Sequence, residues 1–149
     1  TKDKQIIPHE HFRLVAIDNT QGQGDDTGSH AGTNVQNTAT LDRFGTAVYI
    51  DYLNPSIEEQ MIVQKWPDTV TRKAAKELVK LANLVRQGYK ANQFNLTMSP
   101  RSLFGICNKV SFGMSLKTAF NLVYANKLND TQRKVAEELF NKVYGNKTT

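Results

Sequence analysis

The sequence predicts an α/β protein in which the last strands of a largely parallel sheet lead into a bundle of about four helices. Two observations carry this. Residues 12–17 (FRLVAI) alternate in part and then run continuously apolar, and residues 46–52 (TAVYIDY) are β-branched and aromatic, as buried strands are. From Asn54 onward, apolar side chains recur instead at three- and four-residue intervals, the helical period. The 149 residues suit one or two compact units, which divide by pattern into 1–53 and 54–149.

Composition narrows the class. A hydrophobic share of 39% can fill a core, but no window approaches the roughly 18 consecutive apolar residues of a membrane span. The N-terminus lacks the charged-then-apolar layout of a secretory signal, and the single cysteine, Cys107, supports neither a disulfide framework nor a thiolate zinc site. The expectation is a cytoplasmic protein with no membrane partner. A net charge of +5 permits an anionic partner, yet the basic residues are scattered, so nucleic acid ranks low among candidates.

The chain opens on eleven polar-rich residues carrying Ile6, Ile7 and Pro8, like the returning arm of a hairpin whose first arm is missing. The 12–17 strand then ends on Asp18, Asn19 and Thr20, and parallel strands place function at their C-terminal ends. These side chains also start turns well, and on chemistry alone the turn reading leads. Residues 21–37 form a glycine-rich polar loop. No lysine follows its glycines, so it is not a phosphate-binding P-loop, and Asp25, Asp26 and His30 match no metal-ligand spacing; no metal site is expected. TATLDRF, 38–44, has short helical character, with Gly45 placed for a left-handed cap. Arg43 lies just ahead of the second strand, where pairing with Asp42 or another surface carboxylate is the plainest reading.

Helical signals fill the rest. Asn54 and Pro55 begin a turn, Ser56 and Glu59 have capping-box spacing, and Pro67 stops the helix. Residues 69–90 carry Val70, Ala74, Leu78, Leu81, Val85 and Tyr89 on one face. Ser99-Pro100-Arg101 is a helix start, with Leu103, Ile106, Cys107 and Val110 inward, and Gly113 follows. Residues 116–127 carry Leu116, Phe120, Val123 and Tyr124; residues 130–144 carry Val135, Leu139 and Val143 before Gly145. These stripes read as a bundle core.

The run from His11 through LDRF at 41–44 resembles the CobS family, the ATPase subunits of cobaltochelatase, where FRLFATANT is followed by G-x-G-D-T-T-G, G-T, a spacer and MDRW. TMSPRSLFGI resembles that family's MSPR motif, and weaker similarity extends to VYG near the C-terminus, so nearly the whole chain is covered. The resemblance implies the C-terminal part of an AAA+ P-loop NTPase core followed by a helical lid, in the MoxR-related branch of ring-forming ATPases. It implies roles for three residues: Asn19 as sensor 1, orienting water against the γ-phosphate; Arg43 as the arginine finger reaching a neighbouring subunit's nucleotide; and Arg101 as sensor 2 on its own subunit's nucleotide. Positive charge where phosphate charge develops is what phosphoryl transfer needs.

The chain has no Walker A lysine motif and no paired acids of a Walker B strand, so it is not expected to hydrolyse ATP alone. ATP and Mg²⁺ would belong to a complete ATPase, and those motifs would lie upstream in the same protein or in a separate half. The implied partners are Walker-bearing ATPase subunits in a homo-oligomeric ring and a von Willebrand A-type or chelatase subunit. Ala31 replaces the family's histidine, with His30 one position earlier; Asp18 stands for a small residue and Asp26 for threonine. These departures bear on cobalt chelation more than on AAA+ membership. A non-catalytic assembly module and a basic nucleic-acid-binding domain are the two alternatives.

Overall fold

The computed structural model describes residues 7–17 and 37–145. It divides into two units, Thr1–Tyr49 and Ile50–Thr149.

In the first unit the described residues form one short helix, α1 (Thr38–Leu41). Asn37 caps it, its Oδ1 accepting from the Ala39 N–H at 2.9 Å. Asp42 closes it in a right-handed conformation, and Gly45 is not left-handed, contrary to the expected glycine cap. The expected parallel-sheet strands are also absent: no strand occurs among the described residues, and the fold they form is helical. Residues 7–17 make a turn, with the Phe12 N–H donating to the His9 carbonyl at 2.8 Å, and then run on as irregular chain. Phe12, Leu14, Val15 and Ile17 are exposed, as are Val48, Tyr49 and Ile50 in the second segment. A strand exists through backbone pairing with a neighbour, and β-propensity reports the packing that pairing brings. Neither segment has such a neighbour among the described residues, so alternation alone produced no sheet.

The second unit holds α2 (Pro55–Lys65), α3 (Arg72–Lys90), α4 (Pro100–Ser111), α5 (Leu116–Val123), a 3₁₀ turn (Ala125–Lys127) and α6 (Asp130–Tyr144). The caps explain the boundaries. Asn54, rather than the Ser56/Glu59 box, caps α2: its Oδ1 accepts from the Ser56 N–H at 3.0 Å and the Ser56 hydroxyl at 2.8 Å, with Pro55 in the first turn. Thr71, Ser115 and Asn129 accept from Ala74, Thr118 and Gln132 at the starts of α3, α5 and α6. Gly113 at φ 85° and Gly145 at φ 69° follow α4 and α6, a conformation that costs other residues more. The helix expected over 116–127 breaks at Tyr124, whose backbone leaves the helical region before the 3₁₀ turn.

One core joins these helices. α2 packs on α3, α3 on α6, and α4 on α5. Leu78, Val79, Leu81, Ala82 and Val85 of α3 meet Ile62 of α2, Leu103 and Ile106 of α4, Phe120 of α5, and Ala136 and Phe140 of α6 within one buried cluster. In α6 the buried positions are thus Ala136 and Phe140, with Val135, Leu139 and Val143 flanking them, one position away from the expected stripe. Aromatic rings continue the packing: Phe120 lies 5.0 Å from Phe140, and Phe140 lies 4.7 Å from Tyr144. The Tyr124 hydroxyl, inside this core, donates to the Leu96 carbonyl at 2.7 Å, which removes the cost of burying it unpaired. No helix among the described residues is long and apolar enough to cross a membrane.

Gly88 stands near the end of α3 because the Phe94 ring folds back onto it; a β-carbon there would lie 2.7 Å from that ring. Alanine ordinarily favours a helix over glycine by about 1 kcal/mol. Here Gly88→Ala should instead destabilise by about 1–3 kcal/mol, because the buried ring must move. Urea unfolding followed by circular dichroism checks the sign, and a more stable variant would contradict the packing.

Candidate functional site

The three residues with implied roles stand differently. Asn19 lies outside the described residues, as do Asp18, Asp25, Asp26 and His30. Arg43 is exposed in the turn after α1, its N–H donating to the Thr40 carbonyl at 3.3 Å. Leu14, Thr40, Phe44, Gly45 and Thr46 line a hollow of about 480 Å³ with it. No carboxylate among the described residues pairs with Arg43, so the expected link to Asp42 is not made there.

Arg101 is the second residue of α4 and is exposed. Pro100 at the helix start has no N–H to lose, and Ser99 precedes it in an extended conformation without a side-chain bond to the helix. Arg101 has no ion-pair partner among the described residues. The two arginines belong to separate units, each cationic and exposed.

Beside the start of α4 sits a cluster that sequence reading missed. Arg86 of α3 is 4% exposed and Glu58 of α2 is 2% exposed. The guanidinium grips the carboxylate with both ends: Nη1 donates to Oε2 at 2.8 Å and Nη2 to Oε1 at 2.9 Å. Nη1 also donates to Asn83 Oδ1 at 3.0 Å, and Nε to the Met98 carbonyl at 2.9 Å. The Tyr52 ring covers the guanidinium at 3.9 Å, and the Tyr52 hydroxyl shares a 2.9 Å hydrogen bond with Thr97 Oγ1. Next to it, the Tyr52 N–H donates to Asp51 Oδ1 at 2.7 Å and Lys90 lies 3.5 Å from Oδ2; the backbone bond first, then Lys90, holds this carboxyl below its ordinary range. The available signal was register: Arg86 continues the i, i+4 row of Leu78 and Ala82, a lone cation in a buried stripe.

The remaining titratable groups suit structure rather than chemistry. Burial pushes the Cys107 thiol from an ordinary 9.0 up to about 11, so it stays protonated and unreactive near neutrality. Burial likewise raises Tyr124, and raises Tyr144 together with the nearby charge of Glu77. No group of three or more His, Cys, Asp or Glu able to hold a metal occurs among the described residues.

The helices of residues 55–144 share one core, and comparison with known proteins indicates what kind of domain they form. The family model described as CbbQ/NirQ/NorQ C-terminal matches residues 59–141, more than half of the chain, and the chain belongs to that family. Over 147 residues it is 27% identical to the aerobic cobaltochelatase subunit CobS of a Sinorhizobium species, a match that takes in 97% of this chain and 44% of that protein. The chain therefore spans less than half the length of the relative it matches. Together these matches identify it as CobS-like and equivalent to the C-terminal, lid-bearing portion of such AAA+ ATPases. No solved structure matches it.

Two outcomes follow from the buried groups. Glu58→Ala, which leaves the Arg86 charge buried and unpaired, should cost about 3–5 kcal/mol in urea unfolding, whereas Glu58→Leu combined with Arg86→Met should cost much less. A single-variant loss below 1 kcal/mol would show that water reaches the guanidinium. For pH, a thiol whose pKa rises on folding contributes stability in full below its unfolded value and loses it as pH climbs toward the folded one. The thermal midpoint should therefore fall between about pH 9 and 11, with Cys107→Ser flattening part of that fall.

Proposed function

We propose that this chain is the sensor, arginine-finger and lid portion of a CobS- or MoxR-like AAA+ ATPase, in which ATP hydrolysis within a ring drives remodelling or metal insertion through a partner subunit. The observation that carries the reading is the match to CobS along 97% of the chain, with Arg43 and Arg101 both exposed. In this reading Asn19 orients the attacking water, Arg43 reaches the nucleotide of the neighbouring subunit, and Arg101 contacts that of its own.

The chemistry asked of each is limited and physical. As the bond to the γ-phosphoryl group breaks, negative charge spreads over oxygens that a planar guanidinium can bond in pairs. Arg43 follows a helix of only four residues, none of them buried, and is itself exposed, so it is accessible to such a contact. Arg101 is carried by a twelve-residue helix packed into the bundle, so its movement follows that of the whole helical unit. Mg²⁺ would accompany ATP in the assembly; the described residues offer no acidic cluster that fits it, and its ligands are assigned to the Walker-bearing part. The metal-insertion branch of the reading draws on the name of the CobS relative, a cobaltochelatase subunit.

The test uses the chain alone and with Walker-bearing subunits, assayed for phosphate release. The isolated chain should release none, and robust hydrolysis by it would overturn the proposal. The assembly should turn over, and Arg43→Ala should lower kcat by about 10³-fold or more, the range seen when an arginine finger is lost. Arg101→Ala should chiefly raise KM for ATP. Wild-type kinetics in both variants would refute these assignments.

A further inference from the structure

We infer that Arg86 is a positioning residue for Arg101, and that Glu58, Arg86 and Tyr52 form a latch between the residues just ahead of α2 and the turn that starts α4. The functional half of this inference rests on the reading of Arg101 given above. Its structural half stands on contacts within Ile50–Thr149.

The entry to α4 lacks a side-chain cap, although Leu103 in its first turn is buried in the core. Ser99 makes no side-chain cap bond and Pro100 has no N–H to donate; the Ser102 and Leu103 N–H groups donate to the Ser99 carbonyl, at 2.9 and 3.3 Å. With no side-chain cap at Ser99, the path of the chain into Arg101 is set jointly by the packed face of α4 and by what fixes the two residues before Ser99. Both are fixed from the latch. Arg86 Nε holds the Met98 carbonyl at 2.9 Å, and the Tyr52 hydroxyl meets Thr97 Oγ1 at 2.9 Å. The Met98 side chain is wholly buried, so its backbone has little room to shift.

The two grips are coupled. Tyr52 stacks on the guanidinium that holds Met98, and Glu58 and Asn83 fix that guanidinium in its plane. Lysine could not reproduce this, since a point charge on a flexible stem has neither the flat face nor the second donor direction. Tyr52 is anchored in turn through Asp51, which pairs with Lys90 at the end of α3. A displacement of residues 51–53 thus reaches the base of Arg101 through one ring and one guanidinium. An ion pair serving bulk stability alone would need no bond to the carbonyl three residues before that arginine.

Thr97→Val and Tyr52→Phe each delete the Tyr52–Thr97 bond while keeping side-chain shape, so both should fold. Amide hydrogen exchange on the full chain should show Ser102 and Leu103 exchanging roughly three- to tenfold faster in either variant, with the amides of α6 unchanged. Unchanged exchange at 102 and 103 would overturn the latch. In the assembly with Walker-bearing subunits, Thr97→Val should raise KM for ATP by a similar factor at nearly constant kcat, and this effect should vanish in an Arg101→Ala background. An additive effect would overturn the positioning role. If Arg101→Ala by itself leaves KM unchanged, the nucleotide reading of Arg101 and the functional half of the inference both fall, while the exchange result separately decides the latch.

Discussion

The helical unit is organised around a charge it would be costly to bury alone. Arg86 sits in a stripe of aliphatic side chains, and an unpaired guanidinium there would cost several kcal/mol. Glu58 meets it in bidentate fashion, which fixes the register of α2 against α3 as no apolar contact would. Apolar surfaces slide with small changes in energy; two parallel hydrogen bonds at 2.8 and 2.9 Å do not. The remaining donors on Arg86 tie in Asn83 of the same helix and the carbonyl of Met98 between helices.

That arrangement trades stability for definition. A well-packed apolar pair of similar volume is often neutral or stabilising relative to a buried ion pair. What the pair contributes is a single geometry for the junction of α2, α3 and the start of α4. Packing does the rest: the α3 face meets α2, α4 and α6 through one cluster, against which the tilted rings of Phe120, Phe140 and Tyr144 pack in succession. The helical unit thus has one core and one fixed junction.

The helices were legible because their signals are local. Proline at the first position of α4, a proline after α2, and glycines after α4 and α6 all act within a turn of the chain and mark those bounds, whereas at the start of α2 the expected Ser56/Glu59 box gave way to an Asn54 cap. The sheet was misread because alternation in residues 12–17 and 46–52 states only what a strand would require, and pairing partners are not a local property. The α6 stripe shows a milder form of the same limit: spacing identified a face, but the bulk of its neighbours decided that Ala136 and Phe140, not Val135 and Leu139, point most deeply inward. Arg86 escaped notice because a cation in an apolar row reads as an exposed residue until a carboxylate 28 positions away is seen to meet it. Of the proposed site, motif similarity drew attention to Arg43 and Arg101, while the only sequence signal for the contacts around Arg86 was its register on the buried face of α3.

The contrast between those two arginines carries a physical consequence. Arg101 extends from a helix whose inner face is sealed by Leu103, Ile106 and Cys107, so its backbone entropy is already lost on folding. Arg43 follows a four-residue helix with no buried side chain, and ordering it against a partner would cost up to about 2 kcal/mol in side-chain freedom alone. Such a residue contributes only where its contact is strong enough to exceed that cost. A charge-assisted, paired contact with phosphate oxygens in a water-poor site meets the condition, whereas a solvent-exposed carboxylate would not. In the proposed reading, Arg43 would be ordered only when a neighbouring subunit presents nucleotide, whereas Arg101 would already be held by its helix.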